Sequence, residues 1–155
     1  MLRMSRLTDY GTVVLSYMAH HEEGLHSAAD VAANTRLAPP TVAKLLKAFA
    51  RVGIVTSVRG PQGGYTLARR PSEISAAEII DALEGPLALT ECSASEHSCE
   101  LESICRVGGA WQQINLAIRD ALREVSLSQL MTVGRTKVPP IDLQVALSAS
   151  GGIKN

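Results

Sequence analysis

The chain has 155 residues, fifteen Lys/Arg against fifteen Asp/Glu, 46% apolar residues and only 3% aromatic ones. That length holds one medium domain or a small domain with an appended helix and tail, and its core must be built from Leu, Val, Ile and Ala, a mixture suited to packed helices. No apolar run approaches the ~20 residues that span a bilayer, and the opening M-L-R-M-S-R-L-T lacks the apolar core of a signal peptide. The expected location is the cytoplasm, with no membrane partner, where thiols stay reduced.

The zero net charge conceals an asymmetry. Residues 1–71 carry nine Lys/Arg against four Asp/Glu, residues 72–130 carry three against ten, and residues 131–155 carry three against one. A basic first part and an acidic second part suit a chain of which only the first meets a polyanion; solvated surface charge without a role is the plain alternative that charge alone leaves open.

In chain order, Thr8 is placed to cap a first helix that runs to His21, with Val13, Val14, Leu15, Tyr17 and Met18 as its apolar positions. Glu22-Glu23-Gly24 ends it. Ser27, with Asp30 three residues on, caps a short second helix whose Ala29, Val31, Ala32 and Ala33 allow close packing. A turn through T-R-L-A-P-P-T-V leads to a third helix, Pro40 to Val52, and proline is tolerated in a first turn. There Val42, Leu45, Leu46, Phe49 and Val52 recur at three- and four-residue steps as a buried face. Lys44, Lys47 and Arg51 form a basic stripe on another face. Two short helices joined by a turn, the second basic outside, make a helix-turn-helix.

Gly53 closes the third helix, I-V-T-S-V reads as a strand, R-G-P-Q-G-G as a turn and Y-T-L-A as the returning strand. A hairpin directly after a helix-turn-helix is a wing, and Arg59 at its tip suits a narrow A·T-rich minor groove. Ser75-Ala76-Ala77-Glu78 is a capping box that opens a helix through Leu83, which Gly85-Pro86 stops. From about Gly109 to Val125, Trp111, Ile114, Ile118, Ala121 or Leu122, and Val125 keep a rhythm near 3.5 residues, the pattern of a dimer seam. A core helix within one chain is the other use of such a stripe. The expected fold is therefore mainly α with a small β wing: a winged helix-turn-helix over 1–71, then a connecting helix, cysteine loop and dimerisation helix over 72–130. Residues 131–155 lack a sustained period and read as a disordered tail.

Cys92, Cys99 and Cys105 are the only cysteines, spaced C-x6-C-x5-C in a polar stretch between Thr90 and Val107. Buried structural cysteines have apolar surroundings, and a disulfide would leave an odd thiol. Thiolates select zinc or iron–sulfur clusters, both usually with four ligands. Structural zinc favours close C-x2-C pairs, which are absent, whereas these longer spacings let a loop wrap a larger object. The spacing favours a cluster and leaves open a mononuclear metal or redox-sensing thiols.

L-R-M-S-R-L-T-D-Y-G near the start, V-R-G-P-Q-G-G-Y at the wing, and the three cysteines followed by the tryptophan of G-G-A-W resemble the IscR/NsrR/RirA family of bacterial winged-helix regulators. The likeness covers roughly residues 1–130. It implies a homodimer with exchanged long helices, an iron–sulfur cluster (2Fe-2S or 4Fe-4S) near the dimer interface, and DNA binding that depends on cluster state. The opening L-T-D-Y-G-T-V-V-L is most similar to the branch that regulates the SUF cluster-assembly operon. In the IscR branch a histidine three residues after the last cysteine is a ligand, but Gly108 stands at that position and has no donor. The nitric-oxide-sensing branch uses an aspartate of the first helix from the partner subunit, and Asp9 matches it. Asp9 is thus the first choice for a fourth ligand, His97 the second, with Glu100 and Glu102 as competitors. The plain reading of Asp9 is a first-turn acid favoured by the helix dipole.

The expected function is a homodimeric transcription regulator, a repressor on a double-stranded operator, and not an enzyme. Thr41 and Lys44 would lie nearest the bases, Lys47 and Arg51 on phosphates, and Arg59, Gly60 and Gln62 at the wing contact. IscR-type recognition uses a glutamate near the helix start to read cytosine; Ala43 stands there, so the operator should differ. The alternatives are the same DNA-binding fold acting as a cluster-free thiol sensor, and a cluster carrier, against which the basic first part argues.

Overall fold

Ser5, not Thr8, caps the first helix. In the computed structural model, which describes residues 4–90, 93 and 107–133, the Ser5 hydroxyl accepts the Leu7 N–H at 3.2 Å and α1 runs Arg6–His20. Thr8 lies one turn inside and is buried, its hydroxyl donating to the Glu84 carboxylate. Either hydroxyl satisfies the local cap pattern; the tertiary partner of Thr8 decides between them.

α2 (Ala28–Thr35) begins at Ser27, whose oxygen accepts the Asp30 N–H at 3.1 Å. α3 (Pro39–Arg51) buries Val42, Leu45, Leu46 and Phe49 completely. Val52, expected on that face, is 51% exposed, because the helix has already ended at Arg51 and Val52 occupies the C-cap. Gly53 then takes a φ of 75° and donates to Ala50 O, while Ile54 N–H donates to Phe49 O. Those two bonds are a Schellman closure.

β1 (Val55–Val58) and β2 (Gly64–Leu67) pair antiparallel, with Val55 opposite Leu67 and Val58 opposite Gly64. The turn glycines act in two ways. Gly60 has a φ of 120°, but Gly63 is there for space: a Cβ on it would lie 2.2 Å from Val58 O. His26 adds one more rung, exchanging backbone bonds with Tyr65 at 2.9 and 2.8 Å, so the wing is tied to the segment between α1 and α2.

A 3-10 turn (Pro71–Glu73) leads to α4 (Ala76–Glu84), opened by the reciprocal Ser75–Glu78 capping box. α5 (Gly108–Glu124) follows the cysteine segment, and α6 (Leu127–Val133) packs back on α1. The sequence put Met131 at the start of a tail, yet it lies inside α6 against the core. Ser75 and Ser126 form an isolated bridge: Ala76 N–H donates to Val125 O at 2.7 Å and Leu127 N–H to Ile74 O at 2.8 Å. The fully buried Leu127 completes a core shared by Val14, Leu15, Leu45, Phe49, Ile54 and Ile74. Each such side chain contributes about 1.5–3 kcal/mol by leaving water.

Candidate nucleic-acid interface

The core face of α3 fixes what its other faces present. Because Val42, Leu45, Leu46 and Phe49 are wholly inside, Lys44, Lys47 and Arg51 are left exposed, and Thr41 and Ala43 are half-buried. Arg59, Gly60 and Gln62 are exposed at the wing turn, where Gly63 N–H donates to Gly60 O at 2.9 Å. Lys44, Lys47, Arg51 and Arg59 make no ion pair among the described residues. The paired cations, Arg69 with Glu78, Arg119 with Asp81 and Arg123 with Asp120, lie off α3 and the wing turn, each against a carboxylate of α4 or α5. Unpaired cations on one helix and its neighbouring wing form a surface ready for an anion.

Cys92, Cys99, Cys105, His97, Glu100 and Glu102 lie outside the described residues. The chain on either side is anchored. Ser93, which lies between Cys92 and Cys99 in the sequence, donates its N–H to Thr90 O at 2.9 Å, and the two hydroxyl oxygens lie 2.7 Å apart. Asn115, 5% exposed in mid-α5, accepts the Leu89 N–H at 3.2 Å and donates to Leu87 O at 3.1 Å. Half-buried Arg119 and Asp81 pair at 2.7 Å between α5 and α4. Sequence reading missed Asn115, since a lone polar residue in a helix carries no signal of which backbone it will meet.

Asp9 is exposed in the first turn of α1. It borders a groove of about 440 Å³ with Val13, Ile80, Leu122 and Leu130. Among the described residues, no three His, Cys, Asp or Glu side chains converge on a metal-sized site. α5 buries no apolar residue fully; Trp111, Ile114 and Leu116 are 42%, 41% and 55% exposed.

Two carboxylates brace this frame. The Thr8 hydroxyl and then the Ser5 N–H hold the Glu84 carboxyl below its usual range. Burial pushes Glu78 up, but the Ser75 backbone N–H, the Arg69 guanidinium and the Ser75 hydroxyl outweigh it and leave Glu78 lowered as well.

A helix-turn-helix followed by a two-stranded wing, with free cations on both, defines a winged-helix DNA-binding protein, and no described helix is long and apolar enough to cross a membrane. The chain belongs to the Rrf2 family, the iron-dependent transcriptional regulators, whose pattern matches residues 4–133. It is 32% identical over 130 residues to the transcriptional regulator IscR of Photorhabdus laumondii, covering 81% of this chain and 79% of the relative. Among solved structures it is similar to CymR, the global cysteine regulator of B. subtilis, at a TM-score of 0.64 and 28% identity, covering 85% of this chain and 98% of that one. IscR of T. potens gives a TM-score of 0.62 at 27% identity, with 89% and 94% covered. These relatives are regulators of transcription, not enzymes.

Proposed function

We propose that this chain acts in the cytoplasm as a homodimeric repressor that senses iron–sulfur cluster or redox status through Cys92, Cys99 and Cys105 and controls cluster-assembly genes of the SUF type. The observation that carries the reading is the set of unpaired cations on α3 and the wing, joined through α4 to a segment holding every thiol of the chain. Thr41 and Lys44, in the first half of α3, read base edges in the major groove. Lys47 and Arg51 lean on phosphates, and Arg59, with Gly60 and Gln62 beside it, enters the minor groove.

The exposed apolar residues of α5 support pairing with a second copy, which would cover Trp111, Ile114 and Leu116. The donor set fits an iron–sulfur cluster in kind: three thiolates, with an oxygen or nitrogen ligand from the partner subunit's Asp9 or from His97 as the fourth. When bound, such a cluster supplies a redox-labile group that can be lost or changed in charge. The chain's part is mechanical: Asn115 fixes Leu87 and Leu89 just ahead of Cys92, so the start of that segment and α5 move together. The spacing of two recognition helices across a dimer would then follow α5.

A second reading keeps the DNA-binding half and uses the cysteines as thiols without metal. It is favoured by the sulfur count, one short of the usual four. The absorbance spectrum of anaerobically isolated protein, with iron and sulfide per chain, separates the two. A brown protein with matched iron and sulfide that loses both on Cys92→Ser supports the cluster. A colourless protein that cannot be reconstituted overturns it in favour of the thiols.

A further inference from the structure

Five described residues have left-handed backbone: Gly24, Gly53, Gly60 and Gly85, at φ of 103°, 75°, 120° and 85°, and Arg36 at φ 58°. Glycine takes that conformation without penalty, whereas a residue with a Cβ does not. Gly53 follows the C-cap of α3 and Gly85 caps α4, so the chain uses glycine to turn away from those helices. At the end of α2, in the turn that feeds α3, it uses arginine instead. A side chain kept where its backbone is disfavoured is a pointer to function.

The fold itself makes no use of the guanidinium. Arg36 is exposed and has no ion pair or side-chain hydrogen bond among the described residues. Its neighbours hold the turn: the Thr35 hydroxyl donates to Val31 O at 2.6 Å, and Leu37 packs against the core. The start of α3 supplies the complementary fact. Helix N-termini commonly bind phosphate through free N–H groups. Here Pro39 and Pro40 fill the first two positions and have no N–H, and the N–H groups of Thr41 and Val42 both point to Ala38 O, at 2.9 and 3.1 Å. The recognition helix thus begins without the backbone donors that would seat it on the DNA strand.

We propose that Arg36 supplies that missing contact, as a phosphate anchor at the mouth of α3 in addition to Lys44, Lys47, Arg51 and Arg59. The helix-turn-helix docks the start of its second helix into the major groove, which brings the preceding turn to the phosphate edge. A guanidinium offers a planar fork matched to phosphate oxygens. The inference rests on the DNA-binding reading and needs no statement about the cysteines.

Arg36→Gly is the informative variant, because glycine suits this backbone and should leave thermal stability equal or higher. The full chain, wild type, Arg36→Gly and Arg36→Lys, would be titrated by fluorescence anisotropy against two duplexes across a salt series. One duplex is selected from a random pool by the wild-type protein; the other has random sequence. Arg36→Gly should bind both about tenfold more weakly, with a log–log salt slope shallower by about 0.9 per bound copy, and Arg36→Lys should recover most of the loss. Wild-type affinity and slope in Arg36→Gly would overturn the assignment, as would a loss confined to the selected duplex. Failure of the wild type to bind either duplex would instead remove the DNA-binding reading beneath it.

Discussion

Asn115 holds Leu89: the side-chain oxygen in mid-α5 accepts the Leu89 N–H at 3.2 Å, while the same amide donates to Leu87 O at 3.1 Å. Both partners are backbone groups of the stretch that leads to Cys92, and Asn115 is the one buried residue of α5. A buried amide using both ends is costly to remove, because truncation strands a donor and an acceptor at once. Asn115→Ala should lower unfolding free energy by about 1–3 kcal/mol in urea titration. It should also speed alkylation of the cysteines by a thiol reagent in the cluster-free protein. An unchanged midpoint together with an unchanged alkylation rate would remove Asn115 from the path between that segment and α5.

Arg59 separates binding from stability. It is exposed at the wing turn and has no partner among the described residues, so folding does not depend on it. Arg59→Ala should keep the wild-type melting temperature and bind duplex DNA about tenfold more weakly, with the greater loss on sites whose flank has a narrow A·T minor groove. Equal affinity for wild type and variant on such a site would take the wing out of the interface.

The parts legible in the sequence are those where local pattern and tertiary demand agree. The Ser75–Glu78 box, the Gly85 stop and the α3 core face from Val42 to Phe49 needed nothing beyond neighbours in the chain. Thr8 misled because two hydroxyls three residues apart can both cap, and a carboxylate on α4 claims the inner one. Val52 fitted the stripe but fell past the helix end. α6 was illegible for a related reason: Leu127 and Met131 have no long period, and their burial comes from a core whose other members, Val14 to Ile79, lie far away in the chain. At the candidate interface the cations followed from spacing. Arg36 escaped notice because its strain is a backbone angle, which no periodicity records.

Acid should weaken the joint between α1 and α4. The Thr8 hydroxyl and the Ser5 N–H lower the Glu84 carboxyl below 4.5 in the folded chain. A depressed carboxylate contributes stability that is fully present above its unfolded value, near 4.5, and is lost as pH falls through the lower folded value. Glu78, also lowered, acts in the same sense. Glu84→Gln should therefore melt a few degrees below wild type at neutral pH, with the gap closing toward pH 3, as measured by circular dichroism. A gap that stayed constant with pH would show that the charge of Glu84 has no part in holding Ser5 and Thr8.

Leu127 tests whether α6 is part of the folded unit. Its side chain is completely buried and its N–H bonds to Ile74 O at 2.8 Å, beside the bridge between Ser75 and Ser126. Truncating a leucine in such a position removes its burial and leaves a cavity, so Leu127→Ala should cost about 2–5 kcal/mol. Because Leu127 shares its core with Phe49 and Ile54, the loss should appear as one cooperative transition rather than a separate early melting of the C-terminal helix. Urea unfolding followed by Trp111 fluorescence and by far-ultraviolet circular dichroism reports on both. Coincident curves shifted to lower urea would place α6 within the DNA-binding unit, whereas an unshifted curve would show that the recognition helix and wing stand without it.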